Sequence, residues 1–417
     1  MLKTELLEHQ KQTVDFLLKK KCVGDWSKMG TGKSLSSLAS IVAVREADLL
    51  GNLKAVVVCP PFLCENWLHE IRKHTTLIGS PHFLTPDPKA DIYVVSYTQL
   101  SKAEAVFKIC DFWITDEAQY LKNLDAGRTK TFFELFFKYT PEYFMQLSGT
   151  PMRNRIAETY SFLSLWARWG VKPAITEKYE SFYTFCVRFT NVIQGKHGIS
   201  TGGSKNVDEL RTYIKPHSIK HEASVLNLPE LSESDIAVSY KENVELERAF
   251  NEFRGDTFSA EITVKVQSAT ATAPFTGNYV SEAIDQGEGP VIVFSDHRNP
   301  IEIMELELSK YRVRSITGST SMDKRSEYIR MFQNGQLDCL LGTYGAMSTG
   351  HTLTASNLMV LNDPPWSPSE YEQAKKRSHR LGQDRPCRVV RVIGSSVTTL
   401  IYKTLASKIK TINKVMN

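Results

Sequence analysis

No stretch of this chain is long and apolar enough to cross a bilayer, and its first residues, MLKTELLEHQ, lack the apolar run of a secretory signal. Cysteine is sparse: seven in 417 residues, at 22, 59, 64, 110, 186, 339 and 387, an odd and scattered set without a CxxC pair. That excludes a disulfide framework or a cysteine zinc site as the organising feature, and it fits a reducing compartment. No repeat of fixed period is present, which sets solenoids and propellers aside. Neither charge dominates, since 51 basic residues against 46 acidic ones leave +5. Such a balance permits contact with a polyanion without requiring it. The expectation is an intracellular, cytoplasmic chain with no membrane partner.

What is present is globular in composition, 41% hydrophobic and 23% charged. The length exceeds one ordinary core and implies two domains. Short apolar runs alternate with helical patterns in the first 150 residues, the rhythm of a parallel sheet wrapped by helices. "KAVVVCP" (54–60), "DIYVVSY" (91–97), "DFWITDE" (111–117) and "YFMQLSGT" (143–150) read as buried strands. Ligands bind such sheets at the strand ends. The rhythm returns in "GPVIVFSDH" (289–297), "YRVRSITGS" (311–319), "DCLLGTYGA" (338–346), "NLMVLND" (357–363) and "CRVVRVIG" (387–394). Between the two lies an aromatic-rich, mainly helical stretch with a glycine-rich loop, "GKHGISTGGSKN" (195–206). Its aromatics, including Trp166, Trp169 and the cluster at 182–189, are spaced to fill a core rather than to stack bases.

Two strings carry chemistry. In "KMGTGKSLSSLA" (28–39), a Gly-x-Gly-Lys-Ser turn made by Gly30, Thr31 and Gly32 can wrap backbone N–H groups around phosphate oxygens. Lys33 would then reach the terminal phosphates and Ser34 would offer a hydroxyl to magnesium. Ser27 stands where the full pattern has its first glycine. In "ITDEAQ" (114–119), Asp116 and Glu117 end an apolar strand, placed for Asp116 to hold the ion and Glu117 to orient or deprotonate water. Taken singly, each string has a plainer account: a surface turn opening a helix, and acids capping a strand-to-helix turn.

Together with "LSGTPMRN" (147–154) and "QAKKRSHRLGQ" (373–383), these strings follow the order of superfamily 2 helicase motifs I, II, III and VI. The last resembles the QAxxRxxRxGQ element of the Swi/Snf-type ATPases, a family of DNA translocases. "LLEHQ" is similar to that family's Q motif, with Gln10 as adenine reader. "VVVCPPFLCENWLHEI" (56–71) resembles motif Ia, with Asn66, Trp67 and Glu70 as its N-W-x-x-E signature. "VVSYTQL" resembles motif Ib, "VIVFSDH" motif IV, and "LLGTYGAMSTGHTLTASNLMVLNDPPWSP" motif V. Residues 204–231 are similar to the family's protrusion leading to an R-R-x-K string, with Ile219, Lys220 and His221 in place of the basic start. Lys28 replaces an acid in motif I, and Gln119 replaces the histidine of motif II, where an amide can still bridge to motif III. The TLTA of motif V is closer to the fork-remodelling, annealing-helicase branch.

The resemblance implies an α/β fold of two RecA-like parallel-sheet lobes in tandem with helical insertions between them. Lobe 1 would span 1–153, the insertions 154–285 and lobe 2 286–417. It implies ATP and magnesium as ligands, held by Gln10, Gly30, Thr31, Gly32, Lys33, Ser34, Asp116, Gln119 and Gly350, with Lys33, Asp116 and Glu117 as catalytic residues. Arg377 and Arg380, three apart on one helical face, would be arginine fingers, with Lys375 and Lys376 on a solvated face or against DNA. Phosphate contacts to DNA would come from Pro60, Pro61, Tyr97, Thr98, Thr317, Ser319 and Thr343. The implied function is a DNA-stimulated ATPase, a monomer that translocates on double-stranded DNA and remodels protein-DNA complexes, forks or branched junctions, with double-stranded or branched DNA as its partner. Alternatives are a strand-separating or branch-migrating helicase and a non-hydrolysing nucleic-acid scaffold. A motor of this size is expected of a virus, phage or bacterium rather than a nuclear complex.

Overall fold

Alternate side chains of the apolar runs enter two different cores, so the runs lie in sheets covered on both faces. The computed structural model describes residues 1–47, 52–81, 83–195, 198–238, 258–347 and 352–416. The chain divides into two compact units, Met1–Val225 with Lys410–Asn417, and Leu226–Ile409. No helix of the described residues is long and apolar enough to cross a membrane.

In the first unit the strands are β1 (Cys22–Asp25), β2 (Ala55–Cys59), β3 (Gly79–Ser80), β4 (Ile92–Ser96), β5 (Phe112–Asp116) and β6 (Tyr143–Leu147). A hairpin follows, β7 (Asn191–Gly195) with β8 (Gly198–Gly202), and then β9 (Ser218–Ile219). The sheet order is β3-β4-β2-β5-β6-β1-β9, every pair parallel. Val56, Val58, Trp113 and Phe144 pack with Phe132, Phe136 and Trp166 on one face. Ala55, Val57, Ile114 and Met145 pack with Leu38, Ile41 and Trp67 on the other. The four apolar runs of this half are thus strands, as their continuity implies.

The insertion aromatics are core residues: Trp166, Phe185 and Phe189 are buried, and Trp166 stacks on Trp26 with ring centroids 6.0 Å apart. Part of the glycine-rich stretch departs from the loop expected of it, because β8 pairs along β7 there. Val192 packs on the main core and its cross-strand partner Thr201 is buried, so the ribbon has a surface to rest on.

The second unit holds β10 (Leu231–Ala237), β11 (Val291–Ser295), β12 (Val313–Ile316), β13 (Cys339–Thr343), β14 (Leu358–Leu361) and β15 (Cys387–Ile393). Their order is β10-β15-β14-β11-β13-β12, again all parallel. β10 and the helix Phe258–Asp285 belong to this unit, and residues 154–225 belong to the first. The stretch expected as a separate insertion is therefore shared between the two units, because β10 completes the edge of the second sheet beside β15.

Candidate nucleotide site

Residues 26–32 join β1 to the helix Lys33–Glu46. Gly30 and Gly32 have φ of 86° and 82°, left-handed values that disfavour any side chain. Gly32 is the cap of the helix, so the helix's first N–H groups, which lack partners within it, are offered at the turn. A Cβ on Gly32 would lie 2.2 Å from Gln10 Nε2. Gln10 is buried against the turn, accepting from the Leu7 N–H at 2.9 Å and donating to the Thr31 carbonyl at 3.3 Å. His9 Nε2 lies 2.8 Å from the same carbonyl. The Lys33 ammonium donates to the carbonyls of Ser27 (2.8 Å) and Lys28 (3.2 Å). The residue that replaces an acid at position 28 thus serves Lys33 through its backbone.

The helix itself is serine-rich. Ser36, Ser37 and Ser40 return their hydroxyls to carbonyls one turn earlier, at 3.3, 2.6 and 2.8 Å. All three are buried, so small, self-satisfied side chains let the helix lie close on the sheet.

Asp116 ends β5, two residues after Ile114, which shares a core cluster with Leu38 and Ile41 of this helix. Its Oδ2 accepts from the Trp67 indole N–H at 2.9 Å, and its Oδ1 from the Glu117 N–H at 2.9 Å. Burial, then the neighbouring Glu117 charge, push its carboxyl up to about 6, while Trp67 and Lys33 pull it down. Glu117 takes a left-handed φ of 52°, which turns its side chain out of the strand direction. The Gln119 amide donates to Glu117 Oε2. Gln119 Oε1 in turn accepts from the Ser148 hydroxyl at 2.6 Å. The bridge from motif II to motif III expected of an amide is present, and Gln119 is buried within it. Gly149 brings the same loop against the phosphate turn, since a Cβ there would lie 2.8 Å from Met29 Cγ.

These residues fit ATP and magnesium. Ser34 and Asp116 are hard oxygen donors of the kind magnesium prefers, and a raised carboxyl is one that a divalent cation would stabilise in its ionised form. Gly30 and Gly32 leave the turn free of Cβ atoms where phosphate would approach.

The expected DNA contacts divide by exposure. Pro61 and Thr98 are exposed, whereas Pro60 is buried; the Thr98 hydroxyl sits 2.8 Å from that of Ser96. Tyr97 departs from expectation. It is buried, stacks on Tyr120 at 5.3 Å, and gives its hydroxyl to the Asp116 carbonyl at 3.0 Å. Its side chain therefore supports the acid instead of meeting a phosphate. In the second unit the Thr317 and Ser319 hydroxyls are 3.0 Å apart in a turn beside Arg298, Lys324 and Tyr328. Thr343 ends β13, half-buried.

The arginine pair is also placed differently from its spacing. The helix Pro368–Lys375 ends before it, so Arg377 and Arg380 stand in the turns that follow and do not share a helical face. Gln383 and His379 hold those turns: Gln383 Nε2 donates to the Ser356 carbonyl at 2.8 Å, and His379 Nε2 lies 2.8 Å from the Pro229 carbonyl. Arg377 is buried and Arg380 half-buried. Lys375 is not solvated. It is buried in ion pairs with Glu233 (2.9 Å) and Glu372 (2.6 Å). Gly350 lies outside the described residues.

Sequence reasoning noted Trp67 as part of a signature but missed its partner. It also missed that His221 braces the phosphate turn: the His221 N–H donates to the Ser27 hydroxyl (3.0 Å), and the His221 carbonyl accepts from the Lys28 N–H (2.9 Å). The departure from the basic R-R-x-K start was the available signal.

A family model described as SNF2-related domain matches residues 9–267, and one described as helicase conserved C-terminal domain matches 278–382. Among curated proteins, the chain is similar to chromodomain-helicase-DNA-binding protein 1-like of Danio rerio, 24% identical over 92% of this chain and 41% of that protein. The SWI/SNF-related matrix-associated actin-dependent regulator of chromatin subfamily A-like protein 1 of Drosophila melanogaster is 26% identical over 78% and 44%. The DNA annealing helicase and endonuclease ZRANB3 of Mus musculus is 23% identical over 100% and 41%. The chain spans less than half the length of these relatives.

Proposed function

The chain belongs to the SNF2-related family, and on that premise we propose that it is a DNA-stimulated ATPase, a monomer that translocates along double-stranded or branched DNA without having to part the strands. The observation that carries this reading is the Gln119 amide held between Glu117 and Ser148. It fixes a carboxylate next to Asp116 and connects it to the loop that leaves β6, which is what a hydrolytic site linked to motion needs.

In this reading Lys33 exchanges the carbonyls of Ser27 and Lys28 for the terminal phosphates, and the N–H groups after Gly32 receive the others. Ser34 and Asp116 would hold magnesium, whose positive charge would offset the negative charge that develops on the transferred phosphate. Glu117, oriented by Gln119, positions the attacking water and accepts its proton. Arg377 and Arg380 are assigned to the γ-phosphate from their motif. Pro61, Thr98, Thr317, Ser319 and Thr343 are assigned to DNA phosphates, contacts that position a protein without reading sequence. One relative is named for DNA binding and another for DNA annealing, which supports this choice of track.

The test is the ATPase rate against single-stranded, duplex, forked and RNA ligands, with triplex displacement measured beside duplex unwinding. Duplex DNA should stimulate hydrolysis, Lys33→Ala and Glu117→Gln should abolish it, and triplex strands should be displaced more readily than duplexes unwind. Hydrolysis indifferent to every nucleic acid would overturn the reading.

A further inference from the structure

Cys59 closes β2 and Cys64 opens the helix Cys64–His74, and their sulfurs face each other across residues 60–63 at 3.6 Å. Of the seven cysteines, six are buried and Cys64 is not. The hydrogen bond from Cys59 holds the Cys64 thiol below its ordinary range despite partial burial, and the same bond with burial pushes Cys59 up. Burial raises each of the other five, Cys186 to about 11. One thiol is therefore only partly buried and inclined to ionise, with a second already in contact beside it. This is the arrangement of an attacking and a resolving cysteine.

We propose that Cys59 and Cys64 form a peroxide-sensitive dithiol whose oxidation closes a disulfide across the Pro60, Pro61 turn. The Cys64 thiolate attacks hydrogen peroxide: an S–O bond forms, the O–O bond breaks, and the leaving hydroxide takes a proton to become water. Cys59 then gives up its proton and attacks the sulfenic sulfur, forming the S–S bond and expelling the oxygen as a second water. Two thiols and one peroxide become one disulfide and two waters.

The bond matters for the nucleotide site because of what its two ends carry. A disulfide is about 2 Å long, so the sulfurs must close from 3.6 Å, drawing the start of the helix toward β2. One turn along that helix is Trp67, whose indole N–H holds Asp116 at 2.9 Å. Oxidation thus displaces the partner of the proposed magnesium ligand and stiffens a turn proposed to meet DNA. This consequence rests on the ATPase reading; the thiol chemistry does not.

The full chain is treated with hydrogen peroxide, quenched with N-ethylmaleimide, digested and weighed. The peptide holding Cys59 and Cys64 should be lighter by two hydrogens, resist alkylation, and recover both thiols with dithiothreitol. In Cys59→Ser, dimedone should trap a sulfenic acid on Cys64, and Cys64→Ser should yield no disulfide. Oxidised protein should hydrolyse ATP about tenfold more slowly, reversibly, while Cys64→Ser keeps its rate under peroxide. Full alkylation of both cysteines after peroxide, with the fold intact, overturns the proposal. Equal inactivation of Cys64→Ser overturns its link to Trp67. Protein that forms the disulfide but never hydrolyses ATP sustains the thiol pair and removes the ATPase reading instead.

Discussion

The indole N–H of Trp67 donates to Oδ2 of Asp116 across 2.9 Å, tying the helix Cys64–His74 to the end of β5. Burial and Glu117 push Asp116 up to about 6, and this bond opposes both. Trp67→Phe keeps a ring in the core and removes the donor, so Asp116 rises further. Since the carboxylate is the form that binds magnesium, hydrolysis should show an acid limb near pH 6, displaced to higher pH in the variant. Added magnesium favours the ionised form and should move the limb down in both proteins. The check is kcat/KM against pH; a limb that ignores the substitution removes Asp116 as its source.

The Gln119 bridge gives a stability and a rate prediction. Ser148→Ala leaves the buried Gln119 oxygen without the donor it has at 2.6 Å, at a cost of about 1–3 kcal/mol. Adding Gln119→Ala should cost less than the sum of the two single changes, a coupling of about 0.5–3 kcal/mol in a denaturation cycle. Gln119→Ala also releases Glu117, and hydrolysis should fall by about a hundredfold. Gln119→His can restore a donor to Glu117 and should recover most of that loss.

Both sheets were legible because parallel strands buried on two faces read as unbroken apolar runs, as in Val56 to Cys59 and Val291 to Phe294. β10 was not, since an edge strand with Ser232, Glu233, Ser234 and Asp235 exposed leaves no run to see. Lys33, Asp116, Glu117 and Gln119 were legible through fixed local spacing. Trp67 meeting Asp116, 49 residues on, is a tertiary contact that spacing does not encode. Lys375 misled for the same reason: a basic run looks solvated until its partner, Glu233, 142 residues earlier, is known.

Glu209 latches three residues of the insertion and should make its stability depend on acid. It accepts from Lys178 and Tyr179 and pairs with Arg188, and those bonds hold its carboxyl down at about 2. A depressed acid stabilises the fold above its unfolded value and loses that contribution as pH falls through the folded one. The window here runs from 4.5 down to about 2. Glu209→Ala removes ion pairs that are only partly shielded from water, so about 1–2 kcal/mol should be lost at neutral pH. Wild type and variant should converge in acid, measured by urea midpoints. A gap that stays constant across the window would assign the loss to packing.

Lys265 tests the second unit in the same way with the opposite sign. Its ammonium is buried, hydrogen-bonded to Asp296, 4.0 Å from Asp363 Oδ2 and 4.5 Å from the centre of the Trp366 ring. Burial raises the Asp363 carboxyl and Lys265 is the main influence holding it down. Lys265→Met therefore leaves the two carboxylates without the ammonium that lies against both, with only the His297 ring, 3.7 Å from Asp296 Oδ2, beside them, which should cost about 3–5 kcal/mol at neutral pH. In the variant Asp363 lies further above its unfolded value. A raised acid favours folding while protonated and loses that advantage as pH rises, so the variant should regain stability on acidification more than wild type does. Asp363→Asn on the Lys265→Met background should recover part of the loss at neutral pH by removing one charge. The check is the urea midpoint of wild type and variants at neutral and at acidic pH. Equal loss at both pH values, with no rescue by Asp363→Asn, would mean that Lys265 acts by filling space rather than by its charge.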